Sequence, residues 1–111
     1  MTRITVRYSE GRPIGFTAKG HSGYADKGED IVCAAVSALT QTAYLGVTEL
    51  AHAAVDAEQK DGELRLMLRP EITGEEREKA ELILETMLLG LRSIEEKYSD
   101  YLKILKREVK A

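Results

Sequence analysis

A single cysteine, Cys33, and two histidines, His21 and His52, are the side chains of this sequence best suited to nucleophilic and acid–base chemistry. Cys33 follows Asp30 by three positions, and Asp30 sits where a helix N-cap would, its carboxylate able to accept the N–H groups of the next turn. That spacing predicts Cys33 in the first turn of a helix, where unpaired N–H groups and the helix dipole favour an anion such as a thiolate. A nucleophilic thiol also needs a base that takes its proton and hands it to the leaving amine, and His21 is the histidine near this helix start in sequence. Cysteine is equally among the most buried residue types, and a loop histidine is commonly just solvated, so core filler and surface loop stand beside the catalytic pair as readings of the same two residues. Asp30 is open in the same way, as a helix cap or as a carboxylate that orients the imidazole. Ser37, one turn beyond Cys33, either hydrogen-bonds the thiolate or back-bonds to its own helix.

Between the two candidate residues lies GHSGYADKGED, Gly20 to Asp30, eleven polar residues without a period. Gly20, Gly23 and Gly28 suit either tight turns or the hinges of a flap, and Ser22 is a candidate substrate contact beside His21. His52 falls near the expected end of the helix that begins at Ile31, where an imidazolium suits the helix C-terminus, so it is read as structural. One Cys and two His cannot supply four protein ligands to a structural zinc without carboxylates, and no metal site is expected.

The elements that must position these residues follow from periodicity. Ile4, Val6 and Tyr8 alternate with polar residues, and after Glu10-Gly11 the alternation resumes as Ile14, Phe16 and Ala18, which predicts a β-hairpin. Pro13 argues that the second strand starts at an edge or a turn with incomplete pairing. Ile31 to about Ala54 reads as a helix, apolar and small-residue-rich on nearly all sides and therefore central and closely packed. A second hairpin is predicted around Lys60-Asp61-Gly62, with Leu64, Leu66 and Leu68 on its inner face. Thr73 to Glu76 has capping-box spacing, and Ala80, Ile83, Leu84, Met87, Leu88, Leu91 and Ile94 form the stripe of a second helix. The tail from Tyr101 to Val109 fits either a helical face or an edge strand. The order ββαββα, with a possible last strand, implies an α+β fold: a mostly antiparallel sheet of two hairpins, with a possible fifth C-terminal strand, and two long helices.

At 111 residues, 43% hydrophobic and 32% charged, the chain has the make-up of one globular domain spanning 1–111. A net charge of -3 gives no overall positive field toward nucleic acid or an anionic membrane, so neither partner is expected. Tyr98, Tyr101, Lys103, Lys106, Arg107 and Lys110 make a small basic and aromatic tail, read as solvated surface. The uncharged stretch Ile31 to Thr48 is interrupted by Ser37, Thr40, Gln41, Thr42 and Gly46 and reads as a buried helix rather than a membrane span. The lone cysteine rules out an intramolecular disulfide, and Met1 to Tyr8 alternates polar and apolar residues instead of forming a secretory leader, which together point to the cytoplasm.

Gly20-His21, Gly28 and Asp30-Ile31-Val32-Cys33-Ala34-Ala35-Val36-Ser37 resemble the signature of the ribosomal-processing cysteine protease family, Prp, and Leu82 to Glu96 is similar to that family's second helix. The resemblance implies a bacterial cysteine endopeptidase that removes a short N-terminal extension from large-subunit ribosomal protein twenty-seven. It implies a homodimer without metal or organic cofactor, with Cys33 as nucleophile, His21 as general base and acid, and Asp30 at the motif's aspartate. It also implies an apolar groove beside Cys33, because the family's substrates carry aromatic residues just before the cut. The alternative from a different class is a non-catalytic ribosome-associated interaction module, with Cys33 as core filler and the loop as a docking surface.

Overall fold

The computed structural model describes residues 1–21, 23–26 and 30–109. Five strands and two long helices follow the chain as β1 (Thr2–Ser9), β2 (Arg12–Lys19), α1 (Ile31–Leu45), β3 (Val55–Lys60), β4 (Glu63–Leu68), α2 (Gly74–Lys97) and β5 (Leu102–Glu108). The fold is α+β, and the ambiguous tail is a strand. Both expected hairpins form, β1 with β2 around Glu10-Gly11 and β3 with β4 around Asp61-Gly62. They join into one sheet of order β3-β4-β2-β1-β5, in which β5 lies parallel to β1 and every other pair is antiparallel.

This topology explains why both helices cover one face. β2 and β3 point the same way, as do β4 and β5 in the opposite sense, so α1 and α2 are crossover connections between parallel strands. The β2–α1–β3 crossover steps toward one sheet edge and β4–α2–β5 toward the other. Two crossovers of the same hand that differ in both strand direction and sideways step place their helices on the same side. The buried side of the sheet accordingly carries Ile4, Val6, Phe16, Leu64, Leu66, Leu68 and Leu102, which meet Val32, Val36 and Val47 from the first helix and Ala80, Leu84, Met87, Leu88 and Leu91 from α2. α1 runs antiparallel to α2, with Leu39 against Gly90 and Gly46 against Ile83.

Three expectations are corrected. The first helix does not reach Ala54: after Leu45 it widens into a π-turn over Gly46–Leu50 and stops, and His52 follows it with φ 54°, exposed and beyond the helix end. Nor is that helix buried all round. It lies outside the sheet, so only the face with Val32, Val36, Thr40, Ala43 and Val47 is covered, while Ala34, Ala38, Thr42, Leu45 and Leu50 stay exposed. Its twenty residues from Ile31 to Leu50 are long and apolar enough to cross a membrane, a property shared by core helices that pack one side on a sheet. Thr73 occupies the N-cap of α2 but its side chain makes no capping bond, so the capping box does not form. The expectation for Pro13 holds: β2 is an interior strand, but it begins at the Glu10-Gly11 turn and its pairing at Pro13 is incomplete. Pro13 is accommodated because β4 pairs only with Gly15–Lys19, and an irregularity at Arg7/Tyr8 shifts the β1 register beside it.

Candidate functional site

Asp30 is the N-cap of α1: its backbone is extended, and its Oδ1 accepts the Cys33 N–H at 2.9 Å while its carbonyl accepts the Ala34 N–H at 3.1 Å. The cap therefore fixes the first turn on which Cys33 sits, half-buried, as the third residue. It also commits the N–H closest to the thiol. The Cys33 amide, a natural donor to an oxyanion forming beside Sγ, is already engaged by a carboxylate.

His21 is brought toward this turn from the end of β2. The Gly20 N–H donates to the Gly62 carbonyl at 2.8 Å, which pins the chain just after β2 to the β3–β4 turn. The imidazole then rests over Gly62, so closely that a Cβ on Gly62 would lie 3.2 Å from His21 Nε2. Gly62 has φ +74°, a left-handed conformation that glycine adopts without steric cost.

Cys33, His21 and Ser37 together line two adjoining clefts. One, of about 520 Å³, is completed by the tip of the second hairpin at Lys60, Asp61 and Gly62 and by Gln41. The other, of about 470 Å³, runs past Asp30, Ala34, Ala25 and Gly23 and is mainly apolar. The three side chains thus border both clefts. Among the described residues no group of three or more His, Cys, Asp and Glu could hold a metal ion.

The loop after His21 is held at one point by aromatic packing. Tyr24 meets Tyr98 and Tyr101 edge-on, with ring centroids 5.6 and 5.1 Å apart. Tyr98 and Tyr101, expected to be solvated, are instead half-buried and anchor this loop at the α2–β5 junction. Of the candidate positions, Cys33, His21, Ser37, Asp30, Gly20 and Gly23 therefore lie at or beside the clefts. Ser22 and Gly28 fall outside the described residues, as does Lys110. The contribution of the β3–β4 turn was missed, because Lys60-Asp61-Gly62 carries an ordinary hairpin signal and nothing local says that a distant histidine rests on it.

A helix-start cysteine and a histidine sharing two clefts on an α+β scaffold supply the parts of a cysteine hydrolase. The family model described as "Cysteine protease Prp" matches residues 1–103. The ribosomal processing cysteine protease Prp of Bacillus subtilis is 33% identical over 107 residues, covering 94% of this chain and 96% of that protein. The protein of the same name from Staphylococcus aureus is 32% identical over 101 residues, covering 91% and 92%. A crystal structure of Prp from S. aureus, an essential ribosomal processing protease in complex with a covalently linked product peptide, superposes with a TM-score of 0.87 at 25% identity, covering 96% of this chain and all of that one. The chain belongs to the Prp family of ribosomal processing cysteine proteases and is a cysteine endopeptidase.

Proposed function

We propose that Cys33 is the nucleophile and His21 the general base and acid of an endopeptidase that removes the N-terminal extension of large-subunit ribosomal protein twenty-seven. The observation that carries this reading is that the two side chains border the same pair of clefts, Cys33 on a capped helix start and His21 just after β2, packed against the β3–β4 turn. Cys33 Sγ would attack the scissile carbonyl, and His21 would protonate the leaving amine as the C–N bond breaks. Water, activated by the same imidazole, would then release the acyl group and restore the thiol. The peptide would lie across the Cys33–His21 border, with the apolar cleft beside Ala25 and Ala34 taking the aromatic residue before the cut. Because the Cys33 N–H is held by Asp30, the oxyanion would draw on other donors or on release of that bond. The ribosomal processing for which the relatives are named supports the substrate assignment, and the peptide bound to the S. aureus protein supports a peptide substrate.

The working form we propose is a cytoplasmic homodimer. Leu82 and Leu89, a heptad apart on α2, are 68% and 69% exposed, and Leu45 and Leu50 at the end of the first helix are 51% and 74% exposed. Such apolar side chains on the paired helices suit a second copy better than water. Leu82→Asp with Leu89→Asp is expected to give a monomer by analytical ultracentrifugation, and an unchanged oligomeric state would exclude this interface.

Purified wild-type, Cys33→Ala and His21→Ala proteins incubated with a peptide spanning the extension, followed by mass spectrometry, test the catalytic reading. Cleavage at one bond by wild type alone is expected. Cleavage that survives loss of Cys33 would mean the nucleophile lies elsewhere.

A further inference from the structure

The two faces of the sheet differ in charge as sharply as in polarity. The residues opposite the helices fall into rows set by the strand register. One row reads Asp56, Met67, Gly15, Arg7, Arg107; the next Glu58, Arg65, Thr17, Thr5, Leu105; the third Lys60, Glu63, Lys19, Arg3, Lys103. Every carboxylate in these rows lies on β3 or β4 and has a cation beside it: Asp56 with Arg69, Glu58 with Lys60, Glu63 with Lys19. Across β2, β1 and β5 the rows contain no carboxylate at all. Arg3, Arg7, Lys103 and Arg107, with Arg65 next to them on β4, make no ion pair among the described residues. Among the described residues their one side-chain hydrogen bond goes to a hydroxyl: the Arg7 guanidinium donates to Thr17 Oγ1 at 2.7 Å. Burial lowers the Arg7 pKa, and the charges of Arg65 and Arg107 lower it further, as expected where like charges crowd without a counter-ion. Negative charge is concentrated instead on α2, with Glu75, Glu76, Glu78, Glu81, Glu85, Glu95 and Glu96.

We propose that the open face of the sheet, through Arg3, Arg7, Arg65, Lys103 and Arg107, is a docking surface for the phosphate backbone of RNA. Adjacent strands are about 4.8 Å apart and alternate residues of one strand about 6.7 Å, so five cations cover a continuous strip of a flat surface. Between them lie Thr5 and Thr17, hydroxyls that suit phosphate and ribose oxygens, and four of the five cations are arginines, which grip phosphate in pairs of bonds. The net charge of the whole chain does not oppose this contact, because the acidic helix α2 lies on the far side of the sheet. The cleft at Cys33 reaches the end of this face at Lys19, Lys60 and Glu63, but none of the five cations lines either cleft, so peptide and RNA do not share them. The proposal does not depend on which peptide the enzyme cuts.

Binding of the full-length protein to fluorescein-labelled oligouridine, followed by polarisation over a salt series, tests it. Five phosphate contacts on a single strand predict a log–log salt slope of about −3.5, so affinity falls about a hundredfold between about 50 and 200 mM salt. Arg3→Gln with Arg107→Gln is expected to lower the slope to about −2 and weaken binding at least tenfold, with thermal stability and peptide cleavage unchanged. Lys79→Gln with Lys97→Gln, an equal change of net charge on α2, is expected to leave RNA binding as it was. Arg65→Gln with Lys103→Gln repeats the test if the first pair impairs folding. Absence of RNA binding at low salt, equal losses in the α2 control, or tighter binding to phosphatidylglycerol vesicles than to RNA would each overturn the assignment.

Discussion

Replacing Gly62 with alanine separates the part of the site that holds His21 from the part that merely holds the fold. Gly62 and Gly11 occupy the turns of the two hairpins with the same φ of +74°, but a Cβ on Gly11 meets nothing within 4 Å, whereas one on Gly62 lies 3.2 Å from His21 Nε2. The backbone cost of a left-handed alanine is about 1 to 2 kcal/mol and applies to both variants, so each should lose about 4–8 °C of melting temperature. Only Gly62→Ala pushes the imidazole, by the few tenths of an ångström needed to restore ordinary contact. If about 1 Å of misplacement costs about a hundredfold in rate, a displacement of about 0.3 Å costs about fourfold. Steady-state cleavage of the extension peptide is therefore expected to show kcat reduced about fourfold in Gly62→Ala relative to Gly11→Ala, with KM within twofold of it. Equal kcat in the two variants would refute the claim that the second hairpin positions His21, and a change confined to KM would assign Gly62 to substrate binding instead.

Asp30→Ala is expected to cost about 1 kcal/mol of stability through loss of the helix cap, while Asp30→Asn keeps both the cap and near wild-type cleavage. Thermal melts and peptide assays on both variants check this, and an inactive but stable Asp30→Asn protein would show that the carboxylate orients His21. Tyr24→Ala removes two edge-to-face contacts worth about 1 kcal/mol each and is expected to speed amide exchange at Gly23 to Asp26 while leaving the exchange of the β1 core unchanged. Uniform acceleration across the protein would show that the ring trio supports the fold and not the loop. Burial, and then the Glu85 carboxylate, raise the Tyr8 pKa above its ordinary value of 10.0. A phenol whose pKa is raised on folding favours the native state fully below the unfolded pKa, and that contribution is lost as pH rises through the window above about 10. Tyr8→Phe should flatten the alkaline loss of stability in thermal melts across this window, and an unchanged profile would show that Tyr8 does not carry it.

Local patterns made much of this protein legible in its sequence. Alternation in Ile4-Val6-Tyr8 and Leu64-Leu66-Leu68, broken by Glu10-Gly11 and Asp61-Gly62, specifies two hairpins, because strand faces repeat every second residue and left-handed turns admit few residue types. Asp30 three residues before Cys33 specifies a capped helix start with the thiol in its first turn. What tertiary structure decided involves residues far apart in sequence: the parallel seat of β5 beside β1, His21 resting on Gly62, Tyr24 between Tyr98 and Tyr101, and the exposed outer side of the first helix. Charge gives the clearest division. Composition sets the net value of -3, but only the strand register gathers Arg3, Arg7, Arg65, Lys103 and Arg107 on one face while α2 carries the carboxylates on the other, because an electrostatic surface depends on where charges sit and a sum does not.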